Sequence, residues 1–226
     1  DYVGIRIGID VTSKSQAQAK YSNMIVTSST PYLWINAAEV AFLKAEYELR
    51  WGTKDAAKAL YEQAIRLSFE DKGAKDADAY IADKTRKPAA YNDPLGNYSA
   101  TALSSITIAW EDDSAEGADK AAIKERNLER IITQKWIAIF PLGVEAWSEH
   151  RRTGYPRLLP AVEDKSGGTV DLAQGARRLP YPVEEYDKNN ANLQDAVQML
   201  NSESQGSRKG DGMGTRVWWD VKPYNN

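Results

Sequence analysis

Acid–base or nucleophilic catalysis most often recruits histidine, and this sequence has one, His150. A Ser-His-Asp or Cys-His arrangement also needs a placed nucleophile, and nothing around His150 resembles a nucleophile elbow. It reads as a surface histidine at a helix end. Cysteine is absent, so thiolate chemistry is excluded and no His/Cys cluster offers a transition-metal site. Carboxylates are plentiful, notably Glu184-Glu185 and Glu111-Asp112-Asp113. Glycoside hydrolysis needs two carboxylates across a sugar-sized cleft, and these runs read instead as solvated surface charge. The second run could hold calcium through carboxylate and carbonyl oxygens, but it lacks the ligand alternation of an EF-hand loop. Gly210-Asp211-Gly212-Met213-Gly214 has no Lys-Ser/Thr ending and no following helix, so it is not a phosphate loop. No catalytic residue, metal or cofactor is expected.

What remains is binding chemistry. The chain has 7 Trp and 12 Tyr against 3 Phe, rings that pair an apolar face with a polar tip. Such rings cover the apolar face of a pyranose while amides, carboxylates and arginines satisfy its hydroxyls. The segment 88–113 has this mixture in Tyr91, Asn97, Tyr98 and Trp110, with Asn92 beside them. These four are the candidate carbohydrate-binding residues. A second reading of Trp110 sends it inward after Ile106 and Ile108 to pin the loop, since a largely buried Trp is commonplace.

The positioning elements come from periodicity. Residues 31–51 read as a helix, with Pro31 in the first turn, apolar nearly all round in its first half and so buried there. Gly52 reads as a left-handed stop. Thr53 caps the next helix, where Ala57, Leu60, Tyr61, Ala64 and Ile65 follow helical spacing to about Gly73. The short turn between them predicts an antiparallel pair. Residues 74–117 are irregular apart from a short helix at Ala77–Lys84, and loops of this length usually carry function or are disordered. A long helix spans 118–140 with Leu128, Ile131, Ile132, Trp136 and Ile139 as its stripe, broken by Pro141 and Gly143. A shorter helix carries Val144, Ala146 and Trp147 to Arg152, and a last one spans Asn189–Asn201. Residues 1–30 read as loop with one strand-like piece at Val3–Ile9, and 206–214 as a glycine-rich turn region.

Length and charge bound the rest. A chain of 226 residues with 42% hydrophobic and 27% charged residues can bury a core. A net charge of -3 without a basic block argues against nucleic acid, and the apolar runs are too short for a membrane-spanning helix. Asp1-Tyr2-Val3-Gly4 has no initiator Met or signal-peptide pattern and reads as a cut edge.

The pair over 31–73 resembles one tetratricopeptide (TPR) unit, and a lone repeat cannot bury its faces. Three further motifs resemble the SusD/RagB family. The first is Pro31-Tyr32-Leu33-Trp34-Ile35-Asn36-Ala37-Ala38-Glu39-Val40, continuing to Ala45-Glu46. The second runs from Gln134-Lys135-Trp136 through Gly143-Val144-Glu145-Ala146-Trp147 to Arg151-Arg152-Thr153-Gly154-Tyr155-Pro156. The third is Arg177-Arg178-Leu179-Pro180-Tyr181-Pro182 with the closing Trp218-Trp219-Asp220. The resemblance implies a mainly α fold of TPR-like helical hairpins, an α-α superhelix with long irregular loops. It implies that 1–226 is the carboxyl-terminal part of one SusD-like domain whose amino-terminal part is absent. It implies a lipid-anchored outer-membrane protein facing outward, its anchor outside this sequence, that binds glycan and partners a SusC-like TonB-dependent transporter. It carries no ligand residue over. The motif residues themselves read as structural: Arg151 and Arg152 suit a helix carboxyl end, Arg152 can pair with Glu149, and at least one closing Trp should anchor the chain end. The alternatives are a TPR-like peptide- or protein-binding module and, third, a hydrolase.

Overall fold

Asn36, not Pro31, starts the first long helix. Its side chain accepts a hydrogen bond from the Glu39 N–H at 2.7 Å, which satisfies an otherwise unpaired donor of the first turn. Its amide also donates to the Ala138 carbonyl at 3.1 Å. Pro31 to Ile35 therefore lie outside the helix. The computed structural model describes residues 2–204 and 209–221. Among them are eight helices: α1 (Lys14–Lys20), α2 (Ala37–Trp51), α3 (Lys54–Asp71), α4 (Ala77–Ile81), α5 (Lys120–Ala138), α6 (Gly143–Thr153), α7 (Val183–Lys188) and α8 (Asn190–Glu203). The fold is mainly α. No strand forms among the described residues, only the isolated antiparallel bridges Tyr91–Ala100 and Asp171–Gly175. The Val3–Ile9 stretch is thus no strand, and it bends in a turn at Ile7 and Gly8. Gly206, the first residue of the expected glycine-rich turn region, and Asp1 lie outside the described residues.

The chain divides into two units, one of 1–25, 90–101 and 158–226, the other of 26–89 and 102–157. The second unit holds α2 to α6. Here α2 and α3 form the antiparallel hairpin, and α5 packs on both. Thr53 caps α3 by accepting from the Ala56 N–H at 3.2 Å. The core is Ala38, Ala41, Phe42, Ala45 and Leu49 of α2 against Ala57, Tyr61, Ala64 and Ile65 of α3 and Leu128, Ile131 and Ile132 of α5. The alanines let the helix axes approach, and Phe42 meets Tyr61 edge to face at 6.3 Å.

Four expectations for this unit are corrected. In α2, Val40 and Leu43 are exposed whereas Glu39 is buried, because only one side of the helix faces α3 and α5. Gly52 has φ -105 rather than a left-handed φ. A Cβ there would fall 1.8 Å from Glu48 Oε2 and 3.0 Å from its Cα, so a larger residue would displace the Glu48 carboxylate and press on the last turn of α2. On α5, Trp136 is partly exposed and Lys135 is buried. Lys135 Nζ lies 3.7 Å from Glu39, 3.5 Å from Glu145 and 3.4 Å from Glu149. Gly143 is the first residue of α6 rather than a breaker, and Val144 is exposed.

Arg152 pairs with Glu149 as its spacing suggested, at 2.8 Å, and also grips Glu46 of α2 through two bonds of 2.7 and 2.6 Å. Burial pushes the Glu46 pKa up, but Arg152 and Arg50 outweigh it and hold the carboxyl below its usual range. Glu39 goes the other way: burial raises its pKa beyond what Lys135 offsets. His150 is bonded rather than free, with Nδ1 3.0 Å from the Pro156 carbonyl.

The first unit holds α1, α7 and α8. Its α1 begins at Ser13, whose hydroxyl accepts from the Gln16 N–H, while Gln16 Oε1 accepts from the Thr12 N–H. Gly8 has φ +89, and a Cβ there would lie 2.9 Å from the Glu163 nitrogen, so the Val162-to-Ile7 backbone bond of 3.0 Å needs glycine at this turn. Of the closing pair, Trp218 is 68% and Trp219 37% exposed, and Asp220 beside them is buried. Arg177 Nε donates to Asp220 Oδ2 at 2.7 Å, and a second guanidinium nitrogen bonds Oδ1. Arg178 likewise bonds Asp211, which also accepts from the Tyr186 hydroxyl at 2.7 Å and the Tyr181 N–H at 3.0 Å. The two motif arginines are fold-holding groups.

Candidate ligand site

The four candidate residues fall in different units: Tyr91, Asn97 and Tyr98 in the first, Trp110 in the second. Each group is described within its own unit.

Trp110 lies in the irregular stretch between α4 and α5. One face of its ring packs on Tyr61, centroids 5.6 Å apart, and Tyr61 is fixed by donating to the Ile108 carbonyl at 2.7 Å. The next residue is clamped to α5: the Glu111 N–H donates to Asn127 Oδ1 at 3.1 Å, and the Asn127 amide returns a bond to the Glu111 carbonyl at 2.9 Å. Trp110 therefore both pins the loop, as the second reading held, and forms part of the wall of a cleft of about 460 Å³. Around it stand Lys54, Asp55 and Lys58 of α3, Asp112 and Asp113 of the loop, and Lys120, Lys124 and Asn127 of α5.

The cleft carries acidic and basic side chains in equal measure, four of each. Glu111 is bonded by Arg126 Nε at 2.8 Å and Arg130 at 3.1 Å, and the Arg126 bond chiefly holds its pKa down. The Ser114 hydroxyl and N–H hold the Asp112 carboxyl down. Asp113 pairs with Lys54 and pushes that ammonium pKa up. The acidic run is thus distributed among separate partners, and no cluster of three metal-ligating side chains forms among the described residues. Charge of both signs beside an aromatic ring suits a ligand rich in hydroxyls, which donate and accept.

In the first unit, Asp93 organises the other candidates. It is buried, accepts from the Tyr21 hydroxyl at 2.8 Å and from the Leu95, Asn97 and Tyr98 N–H groups at 3.2, 3.1 and 3.1 Å. Burial opposes its ionisation, but these donors prevail and its pKa is lowered. The Tyr21 hydroxyl is pushed up to about 12 by burial and by Asp93. Tyr91 donates to the Gly4 carbonyl at 3.0 Å and Tyr98 to Glu163 at 3.2 Å. Their hydroxyls have internal partners, whereas the Asn97 side chain is exposed.

Sequence reasoning missed Lys54, Lys120 and Lys124 as neighbours of Trp110. The available signal was Lys120 and Lys124 at i, i+4 near the start of α5, where the helix dipole disfavours cations. It also missed a groove of about 390 Å³ between Pro31–Trp34 and Pro141–Glu145, because both stretches had been assigned to helix or to a helix break. There Tyr32 and Trp34 meet edge to face at 5.6 Å.

Comparison with known proteins adds the following. A family model described as SusD-like, Susd and RagB outer membrane lipoprotein, matches residues 1–220. A solved SusD homologue from Bacteroides thetaiotaomicron is 48% identical, with a TM-score of 0.86 over 98% of this chain and 45% of its own. Another from Bacteroides uniformis is also 48% identical, with a TM-score of 0.82 over 98% of this chain and 43% of its own. A chitin-binding SusD homologue from Flavobacterium johnsoniae is 39% identical, with a TM-score of 0.78 over 99% of this chain and 44% of its own. The chain thus spans less than half the length of these solved relatives. Among proteins with curated descriptions, none matches.

Proposed function

The chain belongs to the SusD/RagB family of outer membrane lipoproteins, and on that premise we propose that it binds oligosaccharide or polysaccharide at the outward-facing bacterial surface and delivers it to a SusC-like TonB-dependent transporter. On the order of its motifs, it accounts for the carboxyl-terminal part of one SusD-like domain. The observation that carries the ligand class is the cleft beside Trp110, an aromatic wall among ionised groups of both signs. The chitin-binding relative supports the same class.

Binding without turnover is the reading these groups support. A glycosidase needs one carboxylic acid with a raised pKa as proton donor. Glu111 and Asp112 are both pushed the other way, which suits accepting hydrogen bonds from sugar hydroxyls better than protonating a leaving group.

The test is titration with chitooligosaccharides and a wider glycan panel, followed by product analysis. Trp110→Ala should weaken binding about tenfold, the value of roughly 1.4 kcal/mol of ring stacking. Trp110→Phe, which keeps a ring on Tyr61, should lose less. Tyr98→Ala tests the other candidate group. Binding untouched by all three moves the site while keeping the function. Binding of peptides and no glycan would turn the reading to a peptide nutrient, and cleaved product would refute the absence of catalysis.

A further inference from the structure

Charge is spread unevenly over the concave surfaces of the second unit. The Trp110 cleft holds acids and bases in equal number. A separate groove of about 350 Å³ is bounded by 86–88, by 106–108 and by the last turns of α5. Among the described residues that line it are Arg86 and Lys87, and no carboxylate. The chain as a whole is acidic, with a net charge of -3, so a lining whose only charges are cations departs from its average surface.

The polar groups of this groove are donors with capacity left over. Arg86 gives Nε to Asp83 and lies over the Tyr80 ring at 5.6 Å, which leaves its other guanidinium N–H groups for further acceptors. Lys87 is exposed and enters no ion pair among the described residues. The Gln134 amide donates one N–H to the Tyr80 hydroxyl at 3.0 Å and keeps the second. Thr107 Oγ1 accepts from Arg130 at 3.4 Å and keeps its own proton to donate. The nearby Asp83 carboxylate is already taken by Arg86 and by the Thr85 hydroxyl and N–H. Ile106 and Ile137 supply an apolar wall.

We propose that this groove receives the carboxylate of an acidic sugar, a hexuronate unit within an oligosaccharide. An acceptor-rich anion complements a lining whose charged groups all donate, and charge-assisted bonds from Lys87 and Arg86 are the strong ones. Thr107 and Gln134 then donate to the ring oxygens, while the isoleucines cover the C–H face. The volume lies in the range of small-ligand pockets, about 300–1,000 Å³. The inference rests on the glycan reading above and narrows it to glycans that carry negative charge.

The experiment is calorimetric titration of the full-length polypeptide that contains this chain. The probes are oligogalacturonate and hyaluronan fragments, each set against its carboxyl-reduced counterpart, which keeps the sugar and removes the charge. The charged forms should bind about tenfold tighter, the scale of one charge-assisted hydrogen bond, and the advantage should shrink as salt is raised. Lys87→Gln should erase most of it. Ile137→Glu, which sets a carboxylate in the groove at an exposed position, should abolish it. Both variants should leave the reduced forms bound as before. Reduced forms that bind as well as the charged ones overturn the proposal and leave the glycan reading standing, whereas binding of no sugar at all overturns both. A charge advantage that survives Ile137→Glu puts the anion elsewhere and overturns the proposal. Acetate that competes as well as the uronate sugars reduces the groove to a bare anion contact, with the same consequence.

Discussion

Removing the carboxylate of Asp220 takes from the Arg177 guanidinium its paired acid, and the size of the effect follows from its burial. Asp220 is 1% exposed and Arg177 is fully buried. They are joined by two bonds, one of 2.7 Å, between residues 43 apart in sequence. Burial already pushes the Arg177 pKa down, against the lift from Asp220. Breaking a buried pair from one side costs about 3–5 kcal/mol because a charge is left buried and uncompensated. At about 2–4 °C per kcal/mol for a chain of this size, Asp220→Ala should lower the Tm by about 6–20 °C. Circular dichroism melts of the wild type, Asp220→Ala and the double variant Arg177→Met/Asp220→Leu measure this. The double variant should recover most of the loss, since matched apolar side chains can replace a buried ion pair. A single variant melting within a degree or two of wild type, or a double variant no better than the single, would refute the reasoning.

Two shorter predictions concern acid and a loop. The depressed Glu46 pKa contributes stability that is fully present above the ordinary carboxylate range and is lost as pH falls through the lowered folded value. Arg152→Met should flatten that acid dependence, read from urea midpoints across the acid range; an unchanged slope counts against it. Asp93→Ala removes the acceptor of three backbone N–H groups and should cost about 2–3 kcal/mol, the scale of charged hydrogen bonds. Amide exchange at Asn97 and Tyr98 should accelerate with it, and unchanged exchange would contradict the role given to Asp93.

The sequence was most legible where one periodic signal governed a whole element. Thr53, Ala57, Tyr61, Ala64 and Ile65 specified α3, its cap and its buried face without ambiguity. The start of α2 was misjudged because Pro31 is a good first-turn residue and the apolar run begins beside it, whereas the Asn36 side chain is what satisfies the free amides. The exposure of Val40 and Leu43 on α2 was misjudged for a related reason: composition shows that a helix is apolar all round but not which side is covered. The Ser13-x-x-Gln16 capping signature is present, and a polar setting hides the short α1 behind it. The motifs mark Lys135, Arg177 and Asp220 as structural, but their buried pairings are not readable from sequence, since each partner lies on another part of the chain. For the proposed ligand site, local composition marks Trp110, but the lysines that share its cleft converge from two helices and leave no contiguous motif.

Lys135 constrains how the helices of its unit can move. Its ammonium lies 3.4 to 3.7 Å from carboxylates on α2 and α6, and a slip of α5 by one turn would carry it about 5.4 Å away. Alanine and isoleucine faces tolerate sliding, since one methyl surface replaces another. A charge seated among three carboxylates does not, so α5 behaves as a keyed shaft with one permitted register. Loops on such a frame can be lengthened, shortened or rewritten while the helices keep their alignment, as long as Lys135 is carried over with Glu39, Glu145 and Glu149 as a set.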